Sequence, residues 1–184
     1  MNTSNIKKYA PQARNDFIAA MRKQAAKYGI TADSILPAEQ KGDLLLIGDQ
    51  VFPLSVMKSR EKLIKRIQTS SFEQTIDYIA YSWFNRLCAI RYMECKGLLD
   101  HGRRVLSSAD GSSGLPQILE ECLDIDLPGL DASRVAELKL DGNKDEELYR
   151  ELLLAQCHAL NQVMPLLFEQ VSDESELLLP DNLT

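Results

Sequence analysis

The sequence lacks any apolar run near the roughly 18 residues that a membrane-spanning helix requires. Its first nine residues are polar and basic, and no apolar stretch with a small-residue cleavage site follows them, so they do not resemble a secretory signal. These absences predict a cytoplasmic protein with no membrane partner. The hydrophobic content of 45% is ordinary, so the 184 residues are expected to bury a core.

Ligands for a metal ion are scarce. The chain has two histidines and four cysteines, and no Cys-x-x-Cys motif occurs. Cys88 and Cys95 are seven residues apart on one helical face, a spacing that indicates two buried thiols rather than a disulfide or a zinc site. The segment Asp141-Gly-Asn-Lys-Asp145 fails as a calcium loop because it lacks the required glycine and glutamate. No metal site is predicted.

Catalytic motifs are missing as well. The sequence has no Gly-x-Gly-x-x-Gly, no Gly-x-x-x-x-Gly-Lys and no Gly-x-Ser-x-Gly. Glu137-Leu-Lys139 has the Glu-x-Lys form of metal-dependent nucleases, but a solvated helical face is the favoured interpretation. We therefore expect no catalytic residue and no cofactor within this chain.

Charge is distributed unevenly along the chain. Residues 1–70 hold 12 Lys+Arg and 6 Asp+Glu, whereas residues 107–184 hold 4 and 17, and the whole chain has a net charge of −6. A basic front part could face phosphate groups. Equally, the two ends could attract each other across the fold, and the sequence leaves both interpretations open.

The periodicity of apolar residues predicts an all-α fold with one short β-hairpin near residues 44–54, where Pro53 ends the second strand. Helices are expected at residues 15–28, 56–67 and 72–96, at a short segment from Pro116 to Cys122, at 131–138, and from a capping box at Asn143 and Glu146 to Pro165. Ser71 and Gln74 form another capping box, and Gly29 and Gly97 are expected helix ends. The wide apolar stripe of residues 72–96 marks the central helix.

The expected organisation is a single helical region over 1–184, with a basic half at 1–106 and an acidic half at 107–184. The Ser/Gly-rich run at 107–114 is linker-like and coincides with the change of charge. Residues 177–184 form a partly apolar segment without a helix-capping residue. A cut through a longer protein explains this ending better than a natural terminus.

Several cationic and buried side chains are candidates for function. The candidates for contact with a DNA backbone are Lys58, Lys62, Lys65, Arg66, Arg103 and Arg104. For His101-Gly-Arg103-Arg104 a structural turn is favoured over an anion site. The structural or interface candidates are Trp83, Asn85, Arg86 and Arg91. For the two arginines of the central helix an internal ion pair with the acidic second half is favoured, with an interdomain or DNA-backbone contact as the alternative.

Four stretches carry a resemblance to a known family. The phrase Tyr81-Ser-Trp-Phe-Asn-Arg-Leu-Cys-Ala-Ile-Arg-Tyr-Met-Glu94, together with residues 1–18, 114–129 and 138–158, resembles the PglX family, the adenine-specific DNA methyltransferases of BREX antiviral defence. Family members are several times longer, and their S-adenosylmethionine loop and Asn-Pro-Pro-Tyr motif have no counterpart in this sequence. The resemblance implies a non-catalytic N-terminal helical part, with S-adenosylmethionine as cofactor of the parent protein.

The resemblance leaves two roles for this segment. It implies docking on the methyltransferase core of the same chain or on other BREX components, or contact with the backbone of double-stranded DNA. A stand-alone helical protein-interaction module with no nucleic-acid role is the alternative. Docking is slightly favoured, because the net charge is acidic.

Overall fold

The computed structural model describes residues 4–112, 114–166, 168 and 173–181, and the chain divides into two compact units. Unit 1 comprises Met1–Phe84 and Ser172–Pro180, and unit 2 comprises Asn85–Val171 and Asp181–Thr184. The elements in chain order are α1 (Ser4–Lys27), β1 (Ala38–Lys41), β2 (Leu44–Ile47), β3 (Gln50–Pro53), α2 (Val56–Thr69), α3 (Phe72–Lys96), α4 (Gln117–Glu120), α5 (Ala132–Asp141), α6 (Asp145–Val163) and α7 (Asp173–Leu177).

The predicted fold class is confirmed, with one addition. The expected hairpin of β2 and β3 is present, but a third antiparallel strand, β1, pairs with β2 on its other side. Every side chain of β1 is exposed and none is strongly apolar, so the strand has no alternation that a sequence could reveal. Leu45, Ile47 and Phe52 form the buried face of this sheet.

Helix α1 starts well before the predicted Asn15, because the structure extends it to Ser4 and places Pro11 inside it. The residues that precede Asn15 are mostly polar, so apolar periodicity does not mark them. Its end at Gly29 is confirmed. Gly29 has a φ of 69°, and a Cβ at this position would lie 2.6 Å from Ile47 Cγ2, so only glycine fits.

Helix α3 has the predicted bounds and the predicted cap. The Ser71 hydroxyl accepts a hydrogen bond from the backbone N–H of Gln74 at 3.1 Å, and Gly97 follows the helix with a φ of 64°. The unit boundary falls between Phe84 and Asn85, so the first half of α3 belongs to unit 1 and the second half to unit 2.

In unit 1 the indole of Trp83 is fully buried, as predicted, and its Nε1–H donates to the carbonyl of Ser175 at 2.9 Å. Leu178 and Leu179, which follow α7, are also fully buried. The apolar segment Leu177–Leu179 is therefore part of the core of unit 1.

In unit 2 the carboxylate of Glu94 is buried and accepts four hydrogen bonds. The donors are the backbone N–H groups of Val105 and Leu106, each at 2.8 Å, the Ser107 hydroxyl at 3.0 Å and the Arg91 guanidinium. The run at 107–114 predicted as a linker thus begins at a buried residue of unit 2. The linker prediction is wrong, because the run lies inside unit 2 and does not join the two units.

Helices α5 and α6 largely follow the prediction. Asp131 caps α5 by accepting from the backbone N–H of Ser133 at 2.9 Å. The capping box predicted at Asn143 and Glu146 is not formed. Helix α6 begins at Asp145, and its N-cap residue, Lys144, makes no side-chain hydrogen bond to the helix. Three acidic residues in the first turn of α6 interact favourably with the helix dipole instead. Val163, the last residue of α6, is 71% exposed. The helix ends before Pro165, as expected.

Among the described helices, none combines the length and apolarity needed to cross a bilayer.

The burial of Trp83 gives a stability prediction. Replacing Trp83 with alanine should lower the free energy of unfolding by about 3–5 kcal/mol, because it empties a large buried volume and leaves the Ser175 carbonyl without its donor. Urea denaturation followed by circular dichroism measures this change. In the unchanged protein the fluorescence of this single tryptophan should be blue-shifted and resistant to iodide. Emission like that of free tryptophan would contradict the assigned packing.

Candidate functional site

An apolar groove lies along α1 and the first half of α3 in unit 1. One cavity of about 420 Å³ is lined by Pro11, Arg14, Phe17, Ala80, Tyr81 and Phe84. A second cavity of about 430 Å³ shares Arg14 and continues towards Arg22 and Asp77. Tyr81 is 64% exposed, whereas Ala80 is buried at the floor. This combination of aromatic walls and a cationic rim is suited to binding another polypeptide.

Sequence reasoning missed this groove, although a signal was present. Phe17 and Ile18 follow the helical spacing of the apolar face of α1, yet both are only half-buried. Tyr81 interrupts the apolar stripe of α3 with an exposed aromatic ring, which is the signal that could have marked it.

Helix α2 presents three of the predicted backbone-contact residues on one exposed side. Lys58, Lys62 and Lys65 are spaced by four and three residues, which places them on a single face of the helix, and all three are exposed. The arrangement is cationic, as the sequence predicted, and it could approach phosphate groups.

Arg66, the fourth member of that prediction, is engaged within unit 1. Its Nη1 lies 3.1 Å from Glu174 Oε1, and its guanidinium lies 4.3 Å from the centre of the Tyr78 ring. Helix α7, which carries Glu174, packs against α2. Glu174 belongs to the acidic part of the sequence and Arg66 to the basic part. Their ion pair favours the interpretation in which the two ends of the chain attract each other.

Arg60 was not singled out from the sequence, but it is the buried cation of α2. Its Nε–H donates to the Tyr28 carbonyl at 2.9 Å, and a second hydrogen bond reaches the carbonyl of Leu36. Burial lowers the pKa of its guanidinium. Because Arg60 lies on the same side of the helix as Val56 and Leu63, its position in the apolar stripe could have revealed it.

Arg103 and Arg104 lie in unit 2 and have intramolecular contacts. The Arg103 Nε–H donates to Glu121 Oε2 at 2.9 Å, and the Arg104 backbone N–H donates to Gln117 Oε1 at 3.0 Å. Hydrogen bonds from Gln117 and then Arg103 hold the pKa of the Glu121 carboxyl below its usual range. These contacts favour the structural turn that was predicted for this segment.

The two arginines in the second half of α3 differ in exposure. The Arg91 side chain is 45% exposed and pairs with Glu94, whose hydrogen bond raises the pKa of the guanidinium, and it donates to the Ser107 hydroxyl at 2.7 Å. Arg86 is 2% exposed, and Asn85 beside it is half-buried. The ion pair of Arg91 lies within α3, since Glu94 is three residues further along the same helix, and not with the acidic second half as expected.

The residues rejected as catalytic or metal sites lie in ordinary structural roles. Glu137 pairs with Arg134 at 3.2 Å, and Lys139 Nζ donates to the Leu119 carbonyl at 3.0 Å, so the Glu-x-Lys pair is used within the fold. His101 Nε2 lies 2.6 Å from Gln156 Oε1. Within the part of the chain that the structure describes, no three His, Cys, Asp or Glu side chains come together as a metal site.

Comparison with known proteins adds what the geometry does not show. The chain is 52% identical over 191 residues to the adenine-specific methyltransferase BrxX of Escherichia coli O9:H4 (strain HS), with 100% of the chain and 16% of that protein covered. It is 30% identical over 197 residues to the adenine-specific methyltransferase PglX of Lacticaseibacillus casei (strain Zhang), with 97% of the chain and 16% of that protein covered. No family model matches.

The chain matches a segment of the PglX family of adenine-specific methyltransferases. The resemblance seen in the sequence is thereby confirmed. The chain spans about one sixth of the length of BrxX and of PglX.

The cysteines of the chain depart from the prediction. None of the four forms a disulfide, but Cys88 and Cys95 are exposed, while Cys122 and Cys157 are buried. The expectation of two buried thiols at 88 and 95 is wrong, since both lie on the outer side of α3. Partial desolvation still raises the pKa of the Cys88 thiol, and burial raises that of Cys122.

Thiol titration should reveal this division. In native protein, Ellman's reagent should modify Cys88 and Cys95 and spare Cys122 and Cys157 until denaturant is added. Because the thiolate is the reactive form and the pKa of Cys88 is raised, its modification should accelerate as the pH rises. A Cys88→Ser/Cys95→Ser variant is the control and should show almost no native reactivity. Four thiols reacting at one rate in native protein would contradict the assigned burial.

Proposed function

We propose that this chain is the non-catalytic N-terminal helical part of a site-specific adenine DNA methyltransferase of BREX antiviral defence, and that it docks on the rest of that enzyme. The parent enzyme transfers a methyl group from S-adenosylmethionine to the adenine amino group. Support comes from the match of the whole chain to about one sixth of two adenine-specific methyltransferases. The missing Gly-rich loop and Asn-Pro-Pro-Tyr motif support the non-catalytic assignment.

The groove on α1 and α3 is the observation that carries the docking role. Large exposed rings are costly to leave in water, and a cavity of about 420 Å³ walled by Phe17, Tyr81 and Phe84 provides apolar area to bury in a complex. The remaining five sixths of the parent protein is the partner that is always present at high effective concentration. Other BREX components are the further candidates for this surface.

A second candidate function rests on α2. The exposed row of Lys58, Lys62 and Lys65 could hold a DNA backbone without reading bases, in agreement with the resemblance. The carboxylate of Glu174 neutralises part of the positive charge of α2 by pairing with Arg66, which lies next to Lys65 in the sequence. Association through α2 alone should therefore be weak, and the catalytic part would supply the specificity.

The non-catalytic assignment predicts that the 184-residue chain does not bind S-adenosylmethionine. Isothermal titration calorimetry should show no heat of binding beyond dilution, because the sequence contains no glycine-rich loop to approach the cofactor. The intact enzyme, titrated in parallel, should bind. Micromolar affinity of the isolated chain would refute the assignment.

The docking role predicts association in trans. When the 184-residue chain and the remainder of the enzyme are produced as two polypeptides, they should elute together in size-exclusion chromatography after nuclease treatment. An apolar interface should persist in about 1 M salt, where screening reduces electrostatic attraction to a range of roughly 3 Å. Separate elution of the two polypeptides would exclude docking.

The DNA-backbone candidate is tested by charge reversal on α2. The double variant Lys58→Glu/Lys65→Glu of the intact enzyme should weaken DNA binding about equally for all sequences. It should also flatten the salt dependence by roughly 0.9 for each phosphate group that the variant no longer neutralises. Arg66 is left unchanged because its reversal would break the pair with Glu174.

A matched control is available in unit 1. Lys23→Glu/Lys41→Glu makes the same change in net charge at two exposed positions outside α2. Equal weakening of DNA binding in both variants would show a general effect of charge, and unchanged binding in the α2 variant would exclude the DNA-backbone role.

A further inference from the structure

The two walls of the groove run antiparallel for about three helical turns. Along α1 from Pro11 to Arg22, the facing residues of α3 go from Phe84 down to Asp77, and the Arg22–Glu73 ion pair continues the same order. At 1.5 Å per residue this stretch of α1 is roughly 16 Å long. A groove of this length accommodates about three turns of one additional helix.

The cavity near Tyr81 suits large apolar side chains. Phe17 and Phe84 are half-buried and Tyr81 is exposed, so their rings still present apolar surface to solvent. A helix that binds in a groove presents anchors at positions i, i+3 or i+4 and i+7. The volume of about 420 Å³ leaves room for two such anchors.

Charge specifies the occupant further. Helix α1 contains six Lys and Arg residues and a single carboxylate, that of Asp16. Arg14 borders both cavities, and within the part of the chain that the structure describes it makes no hydrogen bond or ion pair. Arg22, at the far end, is paired with Glu73. The cation offered to a ligand is therefore Arg14, beside the apolar cavity.

We propose that the groove between α1 and α3 binds an acidic amphipathic helix from the remainder of the methyltransferase, with its apolar anchors on Phe17, Tyr81 and Phe84 and a carboxylate on Arg14. The inference rests on the docking function proposed above and names the chemistry of its partner. A nucleic acid would need cations at phosphate spacing, whereas the described lining of this cavity contains one cation, and three of its six residues are aromatic.

Site-specific photocrosslinking in the intact enzyme tests the proposal. A photoreactive benzoylphenylalanine in place of Tyr81 should crosslink within the same polypeptide, and mass spectrometry should map the product to a segment with apolar residues at helical spacing and at least one carboxylate. The same probe at Tyr92 is the control, because Tyr92 is also on α3 and is 61% exposed. A crosslink from position 81 to DNA, to a second copy or to another BREX component would overturn the proposal, as would the absence of a crosslink.

Charge reversal provides the second measurement. Arg14→Glu should lower the yield of the crosslink from position 81 and leave the yield of any product from position 92 unchanged. In the trans assay it should raise the dissociation constant roughly tenfold, because attraction to the carboxylate becomes repulsion. Lys23→Glu, an exposed position on α1, should leave both readouts unchanged. If Arg14→Glu behaves like Lys23→Glu, the proposal is overturned.

The two assays separate the inference from the function on which it rests. The two polypeptides could form a complex that Arg14→Glu does not weaken, with no crosslink from position 81. This result would support the docking function and contradict this groove and partner. If the two polypeptides do not associate at all, the docking function itself fails.

Discussion

The buried carboxylate of Glu94 is the constraint on which the loop after α3 depends. A buried carboxylate loses a large hydration energy, and this cost is offset here because both oxygens accept two hydrogen bonds each. Two of these donors are backbone N–H groups, so the carboxylate fixes the path of the chain at Val105 and Leu106. The Tyr149 hydroxyl in turn donates to the Val105 carbonyl at 2.9 Å, which ties α6 to the same loop.

Helical periodicity was sufficient to place α3, α5 and the end of α6, because these segments bury one face and carry a cap or a proline at the expected position. It failed where burial is weak. Strand β1 has no buried side chain, and the first turns of α1 have little apolar content, so neither produces a periodic signal. The Ser/Gly-rich run at 107–114 has the composition of a linker. Composition does not reveal that the Ser107 hydroxyl donates a hydrogen bond to the buried carboxylate of Glu94.

The candidate site was harder to predict than the fold, because charge along a sequence differs from charge on a surface. Residues 1–70 are strongly basic, yet Glu73 and Glu174 pair with Arg22 and Arg66 within unit 1. The row of exposed lysines was found because helical spacing is local information. The groove was not found, since it requires knowing that Phe17 and Tyr81 come from helices packed side by side.

The local pairing of charges changes the balance between the two roles of the segment. On α2 the acidic helix α7 packs against the same helix and pairs with Arg66, so a phosphate backbone would meet a partly neutralised surface beside the exposed lysines. At the groove, by contrast, one exposed and two half-buried aromatic rings lie near a cation that makes no ion pair within the described residues. Burying those rings gains free energy that salt does not screen, whereas phosphate contacts weaken as salt is added. For the proposed role as a segment of a longer methyltransferase, the apolar groove is therefore the surface that physical chemistry favours over the lysine row of α2.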